Sequence, residues 1–277
     1  MLRAFDRRDA WLPVIGCLIA LSWLTLAIWA QSPYGRYLGH DEWLQTGFAA
    51  SLCRALPAGS VLFPTLLYVT GWVVMTVAMM LPTTLPLLAI FAVITAGRAD
   101  RGLLLTLVVL GYLSIWSAFG LSAHAADMAL HTIFANNDWL SINGWVVGVL
   151  VLTIAGLFQF SRLKYRCLDK CRTPFSFINE HWRGQNERRQ SFLLGVHHGL
   201  FCVGCCWAIM LLMFFVGTGS VGWMLAIGAV MAIEKNVAWG KWLSTLLGFG
   251  LLAASATILA LNLMTQTARI WTADFPL

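Results

Sequence analysis

Charge is scarce in this chain. Of its 277 residues only 11% are Asp, Glu, Lys or Arg, less than half of what a soluble domain devotes to its surface. A single core wrapped in a polar shell is therefore excluded as the architecture. Gly/Ser linkers, low-complexity tracts and internal repeats are also missing, which argues against a string of modules or a solenoid. One domain over residues 1–277 is expected. No G-x-x-x-x-G-K-S/T phosphate loop or other nucleotide-binding signature occurs, so nucleotide-driven pumping by this chain alone has no support in the sequence.

What the chain has instead is apolar length. It is 59% hydrophobic, with a mean hydropathy of +0.76. Charge-free apolar runs recur near 12–30, 61–96, 103–123, 140–160, 192–216, 221–233 and 243–261. A hydrocarbon core about 30 Å thick needs roughly 20 such residues per helix, and only helices and closed barrels satisfy their own backbone in lipid. An all-α, polytopic transmembrane bundle follows, embedded in a lipid bilayer. No small-residue cleavage site follows the first run, which is expected to stay as an anchor. The 61–96 run is too long for one upright helix and too short for two spans with a turn. Pro82 and Pro86 lie within it, so one long broken span is expected there, giving seven spans.

The basic residues support that count. With the N terminus inside, the inner segments hold Arg3, Arg7 and Arg8, then Arg98 and Arg101, then the eight between Arg162 and Arg189, then Lys235 and Lys241. The outer segments keep only Arg36, Arg54 and Arg269. This is the asymmetry of the positive-inside rule. The net charge of +6 thus reports topology, and no nucleic-acid partner is expected. Trp11, Trp29, Trp139, Trp223 and Trp242 sit at run ends, where interfacial tryptophans belong. Two connections are long enough to carry chemistry: an outer loop at 31–60 with His40, Asp41 and Glu42, and a basic inner loop at 161–190.

Seven cysteines occupy positions 17, 53, 167, 171, 202, 205 and 206. In "GVHHGLFCVGCCWAIMLLMFF" (195–215), His198, Cys202 and Cys205 fall at i, i+4 and i+7, one face of a helix, and Cys206 continues that face. His197 points about 100° away from it. Cys167 and Cys171, at i and i+4 in the inner loop, would aim both sulfurs the same way. Together Cys167, Cys171, His198, Cys202, Cys205 and Cys206 form a candidate thiolate and imidazole metal site. Thiolates favour Cu(I), zinc and iron–sulfur clusters over hard cations. Met75, Met79, Met80, Met210 and Met213 near the cysteines favour copper, with zinc in a closed structural site as the alternative. Two other readings stay open: sulfur-rich packing, and thiol redox chemistry through the Cys202-x-x-Cys205 pair.

A second set lies toward the outer face. In "LSAHAADMALHTIFANNDW", His124, Asp127 and His131 share a helical face as a candidate outer metal site, with an ordinary polar interface as the alternative. Glu234 ends an apolar run beside Lys235. It is expected to sit at the interface, pair with a basic residue, or help neutralise a bound cation.

Several blocks in order resemble a known family: "AMMLPTTLPL" (78–87), "LKYRCLDKCRTPFSF" (163–177), "GVHHGLFCVGCCWAIMLLMFFVG" (195–217) and "WMLAIGAVMAIEK" (223–235). From about residue 64 to 255 the chain is similar to the predicted metal-binding integral membrane proteins, a bacterial family whose members are sometimes labelled copper chaperones. The resemblance implies a multi-pass protein of the bacterial cytoplasmic membrane. It also implies a metal site at the matching Cys167, Cys171, His198, Cys202, Cys205 and Cys206, with Glu234 and Lys235 as its "EK" pair. The chain departs from the family pattern at "GTGSVGWM" (217–224), which lacks a Met-Asn pair, and at Phe158, which replaces a tyrosine.

The function expected is the handling of a soft metal ion, copper first, by a chain that is not expected to be an enzyme. Cys167 and Cys171 would capture or return the ion at the cytoplasmic face. His198, Cys202, Cys205 and Cys206 would hold it within the bundle, with Met79, Met80 and Glu234 in support. A membrane enzyme or complex is the expected recipient. The alternatives are an accessory or structural subunit of a larger membrane complex, and a membrane thiol oxidoreductase.

Overall fold

The computed structural model describes residues 11–31, 62–137, 139, 143–216 and 221–274. Among these residues there are ten helices and no strand: α1 (Trp11–Gln31), α2 (Leu62–Met79), α3 (Leu81–Ile94), α4 (Arg101–Ala135), α5 (Trp145–Phe158), α6 (Arg162–Arg172), α7 (Pro174–His181), α8 (Glu187–Val216), α9 (Val221–Asn236) and α10 (Gly240–Asp274). The all-α bundle expected from the sequence is therefore the observed class. His40, Asp41, Glu42 and Cys53 lie outside the described residues.

Four helices are long and apolar enough to cross a membrane: Trp11–Gln31, Arg101–Phe134, Glu187–Met213 and Gly240–Thr265. Two bent pairs raise the number among the described residues to six, α2 with α3 at 62° and α5 with α6 at 60°. Seven spans were expected, and the difference has a physical source in α9. Its 16 residues rise about 24 Å, less than the roughly 30 Å of a hydrocarbon core.

The break expected in the 61–96 run is present, at Met80. Pro82 falls in the first turn of α3, where a missing N–H leaves no bond unmade, while Pro86 lies inside that helix. The freed carbonyl of Met80 accepts from Thr83 N at 3.1 Å and from Thr83 Oγ1 at 2.7 Å.

Helices α4 and α8 form the central pair. A Cβ on Gly111 would run into the Phe192 carbonyl, and one on Gly195 into the Val108 carbonyl. Glycine at these two positions lets the backbones approach as small residues do in membrane helix pairs. Helix α10 packs on α5, α6 on α8, and α2 on both α1 and α4.

The outer surface is apolar, with Leu18, Leu21, Leu246, Phe249 and Leu261 exposed together with Trp139, Trp223 and Trp242. Meanwhile Lys164, Glu234, Lys235 and Gln159 are buried. That distribution suits a hydrocarbon surround and would be a large apolar patch in water.

Three basic connections meet at one end of the bundle. Arg98 pairs with Glu187, Lys241 Nζ lies 2.7 Å from Asp169 Oδ1, and the Arg172 guanidinium donates to the carbonyls of Val237 at 2.8 Å and Ala238 at 3.0 Å. The segments around 98, 162–189 and 237–241 thus share an end, the grouping that the charge asymmetry called for.

Candidate metal centre

Helix α6 is strongly two-sided. Ser161 caps it, accepting from Lys164 N at 3.1 Å, which satisfies one of the free amides of the first turn. Its buried face carries Lys164, Cys167 and Leu168, while Arg162, Arg166 and Asp169 stay exposed. That face lies on α8. A Cβ on Gly204 would stand 2.7 Å from Cys167 Sγ, so only glycine leaves room for the sulfur to seat there.

The cysteines and methionines converge. Cys167, Cys202, Cys205 and Cys206 belong to one buried cluster with Met75, Met79, Met80, Met210, Met213, Met224 and Met231, and Cys171 packs against it. Seven of the chain's ten methionines are therefore in contact with the same core. Met224 and Met231, on α9, were not singled out from the sequence. The Cys205 and Cys206 sulfurs are 3.3 Å apart, and Cys205 Sγ donates to the Cys202 carbonyl at 3.1 Å. These cysteines are free thiols. Cys17 is exposed on α1, away from the cluster.

Cys202 has polar company: Lys235, which the resemblance placed with the site, and Tyr112, which the sequence did not single out. Lys235 Nζ stands 2.9 Å from its sulfur, and the Tyr112 hydroxyl lies 3.0 Å from it. The same ammonium donates to Thr83 Oγ1 at 3.2 Å and reaches Met80 Sδ at 4.0 Å. Tyr112 OH also lies 3.4 Å from the Met80 carbonyl. The broken α2–α3 connection, α4, α8 and α9 therefore meet at one sulfur.

Glu234, one residue before Lys235, faces a different partner. Lys164 Nζ donates to its carboxylate oxygens at 2.9 and 3.0 Å and also contacts Gln159 Oε1. Ser244 Oγ donates to Glu234 Oε1 at 2.7 Å, and Arg172 donates to the Glu234 carbonyl at 2.9 Å. Of the three roles foreseen for Glu234, the structure realises the pairing with a basic residue.

His198 is only 4% exposed, in an aromatic niche rather than among thiols. Its ring centroid lies 5.6 Å from Phe177 and 5.8 Å from Tyr112, and its Nδ1 has no hydrogen-bond partner. His197 lies 4.8 Å, ring to ring, from His181 of α7. In the same connection, the hydrogen bond from Lys170 holds the Glu180 carboxyl below the usual range.

At the far end of α4, His124 stacks on Tyr68 at 4.3 Å, and Asp127 acts electrostatically on both. The side chain of His131 is outside the described residues.

Among the described residues no three His, Cys, Asp or Glu side chains stand together so as to hold a metal ion. What the fold assembles is a set of neighbouring sulfurs surrounded by thioethers. A family model described as "Copper chaperone", named PpoB2, matches residues 69–258. No curated protein matches the chain, and no solved structure does.

Proposed function

The chain belongs to the PpoB2 copper chaperone family, and on that premise we propose that it binds Cu(I) within a membrane and passes it to a membrane enzyme or complex. The observation that supports this most is the single buried cluster of four cysteines and seven methionines. Thiolates and thioethers are the soft ligands that Cu(I) prefers. A core needing only apolar volume would be filled by Leu, Ile and Val, with methionine used sparingly.

In this reading the bundle crosses the bacterial cytoplasmic membrane as one domain, with the N terminus and the basic end in the cytoplasm. Cys171 and Cys167 meet the ion at the basic end, and Cys205, Cys206 and Cys202 hold it in pairs. Met80, Met79, Met210 and Met213 offer weaker sulfur ligands beyond. Each ligand set is soft and incomplete, so the ion is held without the closed four-ligand cage that makes a site structural. Lys235 balances the negative charge of a copper bis-thiolate. Glu234 supports the site indirectly, by pairing Lys164 and so fixing α6.

The test is the copper content of the full chain purified in detergent and titrated anaerobically with Cu(I) against bicinchoninate. Wild type should retain copper, and the triple variant Cys202→Ser, Cys205→Ser, Cys206→Ser should lose the tightly held fraction. Unaltered copper retention in that variant sinks the reading. Zinc retained in place of copper by the untreated protein would turn it toward the structural alternative.

A further inference from the structure

We propose a second copper site, separate from the thiols, in which His181 and His197 hold Cu(I) between two imidazoles at the basic end of the bundle. The proposal rests on the copper reading for its purpose, while its geometry and its test stand on their own.

The two rings come from different elements, α7 and α8, and their centroids are 4.8 Å apart with planes tilted by 46°. Two consecutive helices have therefore brought together a pair of imidazoles 16 residues apart in sequence. His181 is already oriented. Its ring stacks on Phe177 at 4.4 Å, and its Nδ1 lies 3.0 Å from the Phe177 carbonyl. A carbonyl can only accept, so Nδ1 carries the proton and Nε2 of a neutral ring keeps its lone pair. That is the arrangement by which metal-binding histidines are commonly held, with the second nitrogen donating to a backbone carbonyl.

His197 supplies the complementary feature. Its Nδ1 is buried and makes no hydrogen bond. A histidine pair serving only to join α7 to α8 would be expected to use its nitrogens on each other or on the backbone, because a buried polar atom without a partner destabilises the fold. Both residues are partly exposed, so an ion reaches them without opening the bundle. With the His181 ring held in place, a turn of the His197 ring about its side-chain torsions would bring one of its nitrogens toward an ion on His181 Nε2.

Two imidazoles select the metal. Zinc takes four ligands in its protein sites, whereas Cu(I) is stable between two nitrogen donors. The pair is also connected inward. Phe177, which carries the His181 ring, packs edge-on against His198 at 5.6 Å. His198 is buried with its own Nδ1 unpartnered and lies one helical turn before Cys202 on α8. The imidazoles of His181 and His197 would thus receive Cu(I) from the cytoplasm, at the same end of the bundle as Cys171 and Cys167.

The experiment uses the full chain in detergent, titrated anaerobically with Cu(I), with carbethoxylation of each histidine read by mass spectrometry. Cu(I) should protect His181 and His197 from diethylpyrocarbonate at least fivefold, including in the Cys202→Ser, Cys205→Ser, Cys206→Ser variant. Equal labelling with and without Cu(I) overturns the proposal. In parallel, His181→Gln with His197→Gln should lose one equivalent of Cu(I), and X-ray absorption should lose nitrogen scatterers while keeping sulfur ones. Unchanged stoichiometry and spectrum in that variant also overturns it. Retention of copper by the triple cysteine variant together with histidine protection would remove the thiol site and leave this one standing.

Discussion

Lys235 and Cys202 meet inside the bundle, ammonium nitrogen to sulfur at 2.9 Å. They come from α9 and α8, and the lysine's other contacts are a hydroxyl and a thioether. A hydrogen bond to a charged group contributes about 1.5–3 kcal/mol, so the ammonium matters to any anionic form of that sulfur. Lys235→Met should weaken Cu(I) binding by about ten- to a hundredfold, since each ~1.4 kcal/mol is a factor of ten. Lys235→Arg should recover part of the loss. Competition with bicinchoninate measures both.

The Lys164–Glu234 pair is fully buried, so breaking it should differ from replacing it. Glu234→Gln leaves an uncompensated buried ammonium and should destabilise the protein by about 3–5 kcal/mol. Lys164→Met combined with Glu234→Leu should lose less than Glu234→Gln alone, because no unpaired charge remains. Denaturant unfolding in detergent, read by circular dichroism, compares the variants.

Gly204→Ala places a methyl where Cys167 Sγ now sits, 2.7 Å from the new carbon. Alanine favours the helix by about 1 kcal/mol over glycine, so local propensity and packing oppose each other. The expected outcome is faster maleimide labelling of Cys167 as α6 is pushed off α8. Gly222→Ala, with nothing within 4 Å of the new carbon, should leave labelling unchanged. Equal rates in all three proteins would falsify the seating of Cys167 against Gly204.

Met210 and Met213 are fully buried, and leucine matches methionine closely in volume. Met210→Leu with Met213→Leu should therefore change stability by less than about 1.5 kcal/mol per site. Copper transfer from the loaded protein to a soluble thiolate acceptor should nevertheless slow at least threefold. A transfer rate equal to wild type would assign these methionines to packing alone.

Much of the fold was legible because membrane helices announce themselves by length. Every apolar run became a helix, and the proline-bearing run broke at Met80. The span count was less secure, because a 16-residue α9 is apolar without being long. The cysteine convergence was also legible, since i, i+4 and i+7 spacing is a local property of a helix. Tyr112 and Thr83 were not foreseen as neighbours of Cys202. Their proximity depends on how α4 and the broken α2–α3 connection pack against α8, and no local pattern encodes that. Lys164 stood among eight basic loop residues and read as one more inner-face charge. Only its place on the buried face of α6 separates it from Arg162 and Arg166. His198 was expected on the cysteine face, and what lies beside its ring is Phe177 of the neighbouring α7 and Tyr112 of α4. His197, set aside for its direction, finds His181 there.

Glu234 and Lys235 are consecutive on α9, so their side chains leave the helix about 100° apart. One grips Lys164 on α6 and the other grips Cys202 on α8. Helix α9 therefore works as a spindle with two spokes. A turn of α9 that withdraws Lys235 from the sulfur also pulls Glu234 off Lys164 and slackens α6, the helix bearing Cys167 and Cys171. The contact at the inner sulfur and the seating of the helix that bears the outer pair thus hang on one helix.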